Sequence, residues 1–391
     1  MRSSIRSFLA ILGLAVLTLG SARSAGAAPG LATPDQILGY LVAHRDDVSL
    51  VSYTVTPAGT PDPADPVLRV NAWRPMPLAS TIKIVLLAAY AREVAAGRLD
   101  PQEPIPLAQW DAFYLPTIDE GVHAASLAEL GFASDELGFA VDPSATVPLD
   151  RILAMMIKHS DNAGADLLLA RIGEAAVRAT IAAAGLLRQD VPPPLTGLFL
   201  LAGNHEDGPL SPARLQELSR QTPEQRAARI QELEALYLDP AWKIDELTWA
   251  LSRTPPSPRL VARAAHRLFP RGSAAEYARI MAGVATGTFL SPQISAIMRP
   301  HLEWPMASPQ LAEIFSSYGT KGGSIAGVIT EASWNVPRVG DFAGKTRVSV
   351  LFFREMPLWA FDSLEASHAQ QIFQIFLSAD RAFAERVDAA L

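Results

Sequence analysis

The segment Ser80-Thr81-Ile82-Lys83 places a hydroxyl and an amine three positions apart, where Ile82, Val85, Leu86, Ala89 and Val94 begin to recur near a helical period. On a helix such a pair lies one turn apart on one face. The helix N-terminus adds free N–H groups and a partial positive potential, which suit a developing oxyanion. A serine becomes a nucleophile when an adjacent base takes its proton. A lysine amine serves as that base only if its pKa falls from ~10.4, which burial and nearby cations bring about. Ser80 is therefore the candidate nucleophile and Lys83 its base. Lys321, arriving from a strand-like run, is a candidate second cation. Lysine is scarce: Lys83, Lys158, Lys243, Lys321 and Lys345 are the only five, against a large excess of arginine. Arginine cannot do this work, because it does not deprotonate.

Two further motifs follow in order. Ser160-Asp161-Asn162 lies between two helical runs, and Lys321-Gly322-Gly323-Ser324 ends the first strand-like run of the C-terminal part. Each has an ordinary counterpart: a helix start, a turn, a glycine-rich hairpin. The ordered set, S-x-x-K then S-D-N then a K-T-G-like element, resembles the serine β-lactamases and penicillin-binding DD-peptidases. The stretch from Ser160 through Ala163, Gly164 and Asp166 to Gly173 is similar to that of the class A β-lactamases. The resemblance implies catalytic roles for Ser80, Lys83, Ser160 and Lys321, with Ser160 relaying a proton toward the leaving group. It implies substrate binding by Asn162, Gly323 and Ser324. The backbone N–H groups of Ser80 and Ser324 would form the oxyanion hole, each typically worth ~3 kcal/mol in the transition state.

Three departures bear on the substrate. Where class A enzymes carry a deacylating glutamate, the sequence reads Pro194-Leu195-Thr196-Gly197-Leu198, and Glu206 and Asp207 are the next carboxylates. The third motif has Gly322 in place of a threonine. The position where class A enzymes often carry an arginine on the neighbouring strand holds Glu331, and no arginine lies between Lys321 and Arg338. These changes weaken anion recognition and fast deacylation. The reading is an exported serine hydrolase acting through an acyl-enzyme on an amide, a β-lactam or an ester. Its alternatives are a penicillin-binding sensor that does not turn over and a β-lactamase-like esterase.

Positioning these residues requires an α/β (α+β) fold. Pro34–Ala43 reads as a short amphipathic helix, and the runs 48–56 and 67–73 as a hairpin around the Pro-, Asp- and Gly-rich residues 57–66. Helices are expected over 149–159, 163–171 and 174–184. Residues 211–253 read as charged and helical, with Thr222-Pro223-Glu224-Gln225 a good helix start. Strand-like runs return at 316–321, 325–334 and 346–353 before a closing helix. Pairing the terminal strands gives one antiparallel sheet flanked by helices, with a large all-α subdomain inserted. The expected organisation is a signal peptide over residues 1–28 and a hydrolase domain over 29–391. Its α/β part covers about 29–80 and 310–391, its helical part about 81–309, and an extra helical insertion about 205–260.

The charge of −7 and the lack of a basic run argue against nucleic acid, while 49% hydrophobic and 19% charged residues suit a compact protein. Arg2 and Arg6, the apolar run Phe8–Leu19 and Ala25-Gly26-Ala27 read as an export signal. The run is shorter than the ~20 apolar residues of a membrane span, so no stable span is expected after cleavage. The expected location is the periplasm or the medium. With no cysteine, disulfides, thiolate catalysis and lipoprotein anchoring are excluded. The seven histidines show no H-E-x-x-H or H-x-H spacing, so neither a metal nor a cofactor is expected. His159 adjoins the second motif and reads as a local cap. A monomer acting on a small molecule or a peptidoglycan peptide completes the expectation.

Overall fold

A computed structural model describes residues 30–391. The expected signal, residues 1–28, lies outside the described residues. In chain order the elements that position the site are α1 (Pro34–Ala43), β1 (Val48–Thr54), β2 (Leu68–Val70), α2 (Lys83–Ala95), α3 (Leu149–Lys158), α4 (Asn162–Ala183), α5 (Leu195–Ala202), α6 (Pro223–Tyr237), α7 (Ala274–Thr286), β3 (Phe315–Ile325), β4 (Val328–Pro337), β5 (Arg347–Phe353) and α8 (Ala369–Ala379). The chain divides into two compact units. One is formed by the residues up to Thr81 together with Arg271–Leu391, the other by Ile82–Pro270.

In the first unit the N-terminal hairpin joins the three C-terminal strands. The result is one antiparallel five-stranded sheet of order β2-β1-β5-β4-β3. This is the mixed α/β fold expected from the strands at the two ends of the sequence. Both faces of the sheet are covered, so β1 and β5 are buried at every position and show no polar alternation. Ile37 and Leu41 of α1 and Phe373 and Leu377 of α8 cover Leu50, Leu351 and Phe353 on one face. On the other, the Tyr277 ring of α7 meets Phe352 edge-on at 5.6 Å, and Tyr53 Oη donates to Ala278 O at 3.2 Å. α1 starts at a capping box: Thr33 Oγ1 accepts from Gln36 N while the Gln36 side chain accepts from Thr33 N. The Pro- and Asp-rich loop is held by Asp65, whose buried carboxylate accepts from Thr54 Oγ1 and Lys345 Nζ, both at 2.7 Å, and from Arg381.

The second unit is built from helices. α2 packs along α4, and α3 leads into the Ser160 turn that begins α4. α4 bends at Gly173 (φ 75°, ψ 154°), where the sequence reads as a break between two helices. The charged region forms helices Pro212–Arg220, α6, Pro240–Ser252 and Pro258–Leu268. Each has proline at its first position, preceded by Ser211, Thr222, Asp239 or Ser257. It has a solvated outer side and a buried inner one. Ile230, Leu233 and Tyr237 of α6 are buried, and α6 packs on α5 so closely that a Cβ at Gly197 would lie 2.1 Å from Ile230 O. Tyr237 Oη donates to Tyr114 O at 2.5 Å. Lys243 Nζ donates to Asp111 O at 2.8 Å and Ala112 O at 3.0 Å, over the Tyr237 ring. Among the described residues no helix is long and apolar enough to cross a membrane.

Candidate active site

Ser80 sits in a short 3-10 turn, Ala79–Ile82, one turn ahead of α2, whose first residue is Lys83. The preceding Ala79 has φ 43°, a left-handed conformation that costs a non-glycine residue of order 1 kcal/mol or more. The chain leaves the first unit just after Thr81, so the candidate residues fall into two groups, one in each unit.

The first group lies at the free edge of the sheet. A Cβ at Gly323 would stand 2.4 Å from Ser80 N and 2.7 Å from Thr81 N, so only glycine lets β3 run this close to the Ser80 backbone. Thr330 on β4 ties the same turn down: its hydroxyl donates to Leu78 O at 2.7 Å and lies 2.7 Å from Thr81 Oγ1. Lys321 is buried, and its Nζ donates to Gly322 O at 2.5 Å. Ser324 is exposed. Gly322 stands directly opposite Glu331 in the ladder, which fixes the register of the acid found where the resemblance leads to an arginine.

In the second group, Lys83 is fully buried. Its Nζ donates to Asn162 Oδ1 at 2.6 Å, to Ser160 Oγ at 3.3 Å and to the Ser160 carbonyl. Burial brings the Lys83 pKa down to about 8 against the opposing pull of Asp161, Asp166 and Asp119. Ser160 has φ 70°, again left-handed for a non-glycine residue. The turn is held from below by Asp161, which caps α4 through Gly164 N at 2.6 Å and accepts from Trp110 Nε1 at 3.2 Å.

His123, which the sequence analysis did not single out, completes this support. Its Nδ1 lies 2.8 Å from Asp161 Oδ2 and its Nε2 2.9 Å from Asp111 Oδ1, and the ring stacks on Tyr114 at 4.3 Å. Burial would lower its pKa, but the two carboxylates prevail and raise it to about 9. The ring is thus an imidazolium donating from both nitrogens. For Asp161, burial is likewise outweighed by His123 and the Gly164 N–H, which hold it below the usual range. His159 plays no part here; it pairs with Glu129 at 2.5 Å near the surface. No spacing rule links His123 to partners 12 and 38 positions away, so the sequence carried no signal for it.

The run Pro194–Leu198 is fastened to this group by Asp166, which accepts from Leu195 N at 2.6 Å and Thr196 N at 2.7 Å. Burial raises Asp166 to about 6 against those N–H groups. Thr196 Oγ1 donates to Phe113 O at 2.9 Å. Glu206 and Asp207 pair within the charged helical region. Glu206 accepts from Trp242 Nε1 at 2.9 Å, and Asp207 accepts from Asn204, Arg214 and Arg229. A carboxyl the sequence did not flag, Glu234 on α6, is raised to about 8 by burial and by Asp166. Among the described residues no cluster of three or more His, Cys, Asp or Glu side chains has the arrangement to hold a metal ion.

A family model described as the beta-lactamase enzyme family matches residues 60–335. No curated protein matches the chain. Among solved structures, a beta-lactamase from Sphaerobacter thermophilus DSM 20745 is 17% identical, with 86% of this chain and 97% of that chain covered and a TM-score of 0.48. The structure of PBP-A is 15% identical, covering 87% and 95%, with a TM-score of 0.48. A beta-lactamase from Chitinophaga pinensis DSM 2588 is 15% identical, covering 88% and 97%, with a TM-score of 0.46.

Proposed function

The chain belongs to the β-lactamase enzyme family, and on that premise we propose that it is an exported serine hydrolase working through a Ser80 acyl-enzyme. Ser80 Oγ attacks the carbonyl of an amide, β-lactam or ester while Lys83 Nζ takes its proton. Ser160 and Lys321 relay a proton to the leaving group, and water then releases the acyl group. The backbone N–H groups of Ser80 and Ser324 stabilise the oxyanion, and Asn162 and Gly323 line the substrate. The segment 1–28 would direct the protein to the periplasm or the medium.

The observation that carries this reading is the setting of Lys83. Its amine is buried, aimed at Ser160 and Asn162, and lowered to about 8, so roughly a tenth is neutral at pH 7. An ordinary surface lysine is neutral in under about one molecule in a thousand at that pH. A second reading, acylation without rapid turnover, is favoured by one local fact. The loop that Asp166 holds presents Thr196, already donating to Phe113 O, with no carboxylate to activate water. Fast β-lactam hydrolysis is therefore disfavoured, and an ester or a slow penicillin-binding role is preferred.

Intact-mass measurement after incubation with a penicillin or a p-nitrophenyl ester tests the proposal. The wild-type protein gains an acyl mass, transient for a hydrolase and lasting for a sensor, and Ser80→Ala gains none. Equal labelling, or hydrolysis by Ser80→Ala at the wild-type rate, would remove Ser80 from the chemistry.

A further inference from the structure

One short segment of the helical unit, residues 110–114, is gripped from two sides. It begins at the end of the helix Leu107–Asp111, and four consecutive backbone carbonyls in it accept side-chain hydrogen bonds from helices 83 to 132 positions further along the chain. Lys243 Nζ donates to the carbonyls of Asp111 and Ala112, at 2.8 and 3.0 Å. Thr196 Oγ1 donates to that of Phe113 at 2.9 Å and Tyr237 Oη to that of Tyr114 at 2.5 Å. The Lys243 amine lies 4.6 Å from the Tyr237 ring and 5.1 Å from the Phe139 ring, so the two donors from the charged helical region brace each other. The same segment carries the support of the Ser160 turn. Trp110 Nε1 donates to Asp161 Oδ1 at 3.2 Å, Asp111 Oδ1 lies 2.9 Å from His123 Nε2, and the Tyr114 ring stacks on His123 at 4.3 Å. His123 in turn meets Asp161, which caps α4 through Gly164 N. Trp110, Asp111, Phe113 and Tyr114 are all buried, and every link from Tyr237 and Lys243 to Ser160 and Asn162 lies inside the helical unit.

We infer that Tyr237 and Lys243 are positioning residues for the acylation step: through segment 110–114, His123 and Asp161 they hold the Ser160–Asn162 turn against the Lys83 amine. The inference rests on the serine-hydrolase reading, and it gives the charged helical region a part in that reaction at one remove. Buried carbonyls must be paired, so taking away a donor displaces the backbone that offers them or lets water in. Ser160 stands at φ 70°, which a non-glycine residue keeps only where its surroundings over-determine it. The Lys83 contacts depend on that turn, since Nζ donates to Asn162 Oδ1 at 2.6 Å and to Ser160 Oγ at 3.3 Å. A turn that loosens also admits water to the amine. Burial is what lowers Lys83, so its pKa then climbs from about 8 toward its ordinary 10.5, the direction in which Asp161, Asp166 and Asp119 already pull.

The test measures kcat/KM for p-nitrophenyl acetate from about pH 6 to 9.5, less the uncatalysed rate, on wild type, Tyr237→Phe, Lys243→Met and Leu215→Ala. Tyr237→Phe loses one hydroxyl and keeps the ring beside Lys243. Burial holds that hydroxyl far above its ordinary pKa, so it adds no titration of its own to the wild-type profile. Leu215→Ala opens a cavity in the separate core of Leu210, Leu215 and Ala264, and so controls for lost stability alone. Melting temperatures check that each variant is folded. Tyr237→Phe and Lys243→Met should each lower kcat/KM at pH 7 by about tenfold or more. Both should also move the bend of the profile upward from about 8, while Leu215→Ala leaves it in place. A bend that stays near 8 in both folded variants, with Ser80 still acylated, overturns this inference and leaves the serine-hydrolase reading standing. An equal upward move in Leu215→Ala also overturns it. If the ester leaves no mass on Ser80 of the wild-type protein and is not turned over, both fall together.

Discussion

Replacing His123 with glutamine removes a charge from the buried interior of the helical unit. The ring is fully buried, and it bridges Asp161 at 2.8 Å and Asp111 at 2.9 Å. Taking away one partner leaves a buried carboxylate without its counter-charge, a change that typically costs 3–5 kcal/mol. Linkage gives an independent figure. The folded pKa of about 9 lies above the ordinary 6.5, and at 1.36 kcal/mol per unit the charged ring contributes about 3 kcal/mol. The pKa is raised, so the folded state holds the extra proton. The contribution is complete below about pH 6.5 and fades as the pH climbs through about 9. Urea unfolding of wild type and His123→Gln at pH 6, 7.5 and 9.5 reads this directly, and subtracting one from the other cancels Lys83 and Lys243. The difference should be about 3–5 kcal/mol at pH 6 and should drop sharply by pH 9.5. A difference below about 1 kcal/mol at pH 6, or one unchanged at pH 9.5, would show that the ring is not a charged strut.

Two further outcomes follow from the geometry. Lys83 becomes a base on losing its proton, so kcat/KM should rise with pH and level off above about 8. Lys83→Arg, which keeps charge but cannot deprotonate, should lower kcat/KM by about a hundredfold or more, and a pH profile still bending near 8 in that variant would contradict the assignment. Gly197→Ala drives a methyl group onto Ile230 O, 2.1 Å from the Cβ position, in a tight helix pair. It should destabilise the helical unit by about 1–3 kcal/mol or more, and a melting temperature equal to the wild-type value would mean α5 and α6 are less rigidly packed than described.

Much of the fold was legible because it depends on local signals. β-branched runs at both ends of the chain gave strands that had to pair. Proline after a polar cap marked the helix start at Thr222-Pro223, and helical runs expected on either side of Gly173 met its bend. The three motifs stood out for another reason: lysine is rare here, and Lys83 and Lys321 fall within two of them. What stayed hidden depends on partners brought together by folding. His123 looks like any lone histidine until Asp111 and Asp161 close on it. Glu234 looks like one more charge on a solvated helix until α6 turns its apolar side to α5 and brings the carboxyl near Asp166. The burial of Lys83, which lowers its amine, is likewise a property that sequence spacing does not reveal.

The third motif shows how two separate oddities can be one structural fact. In the sequence, the glycine at 322 and the acid at 331 are unrelated departures nine positions apart, each of which weakens anion binding. In the sheet they are cross-strand neighbours competing for the same few ångströms. With Glu331 in place, a threonine at 322 must push its carboxyl aside. With glycine at 322, the carboxyl takes up the room and bonds to Thr320 and Gln371 instead. Restoring the hydroxyl alone through Gly322→Thr therefore sets a new side chain against a buried acid. The two positions are thus tied as a pair by the register of β3 against β4.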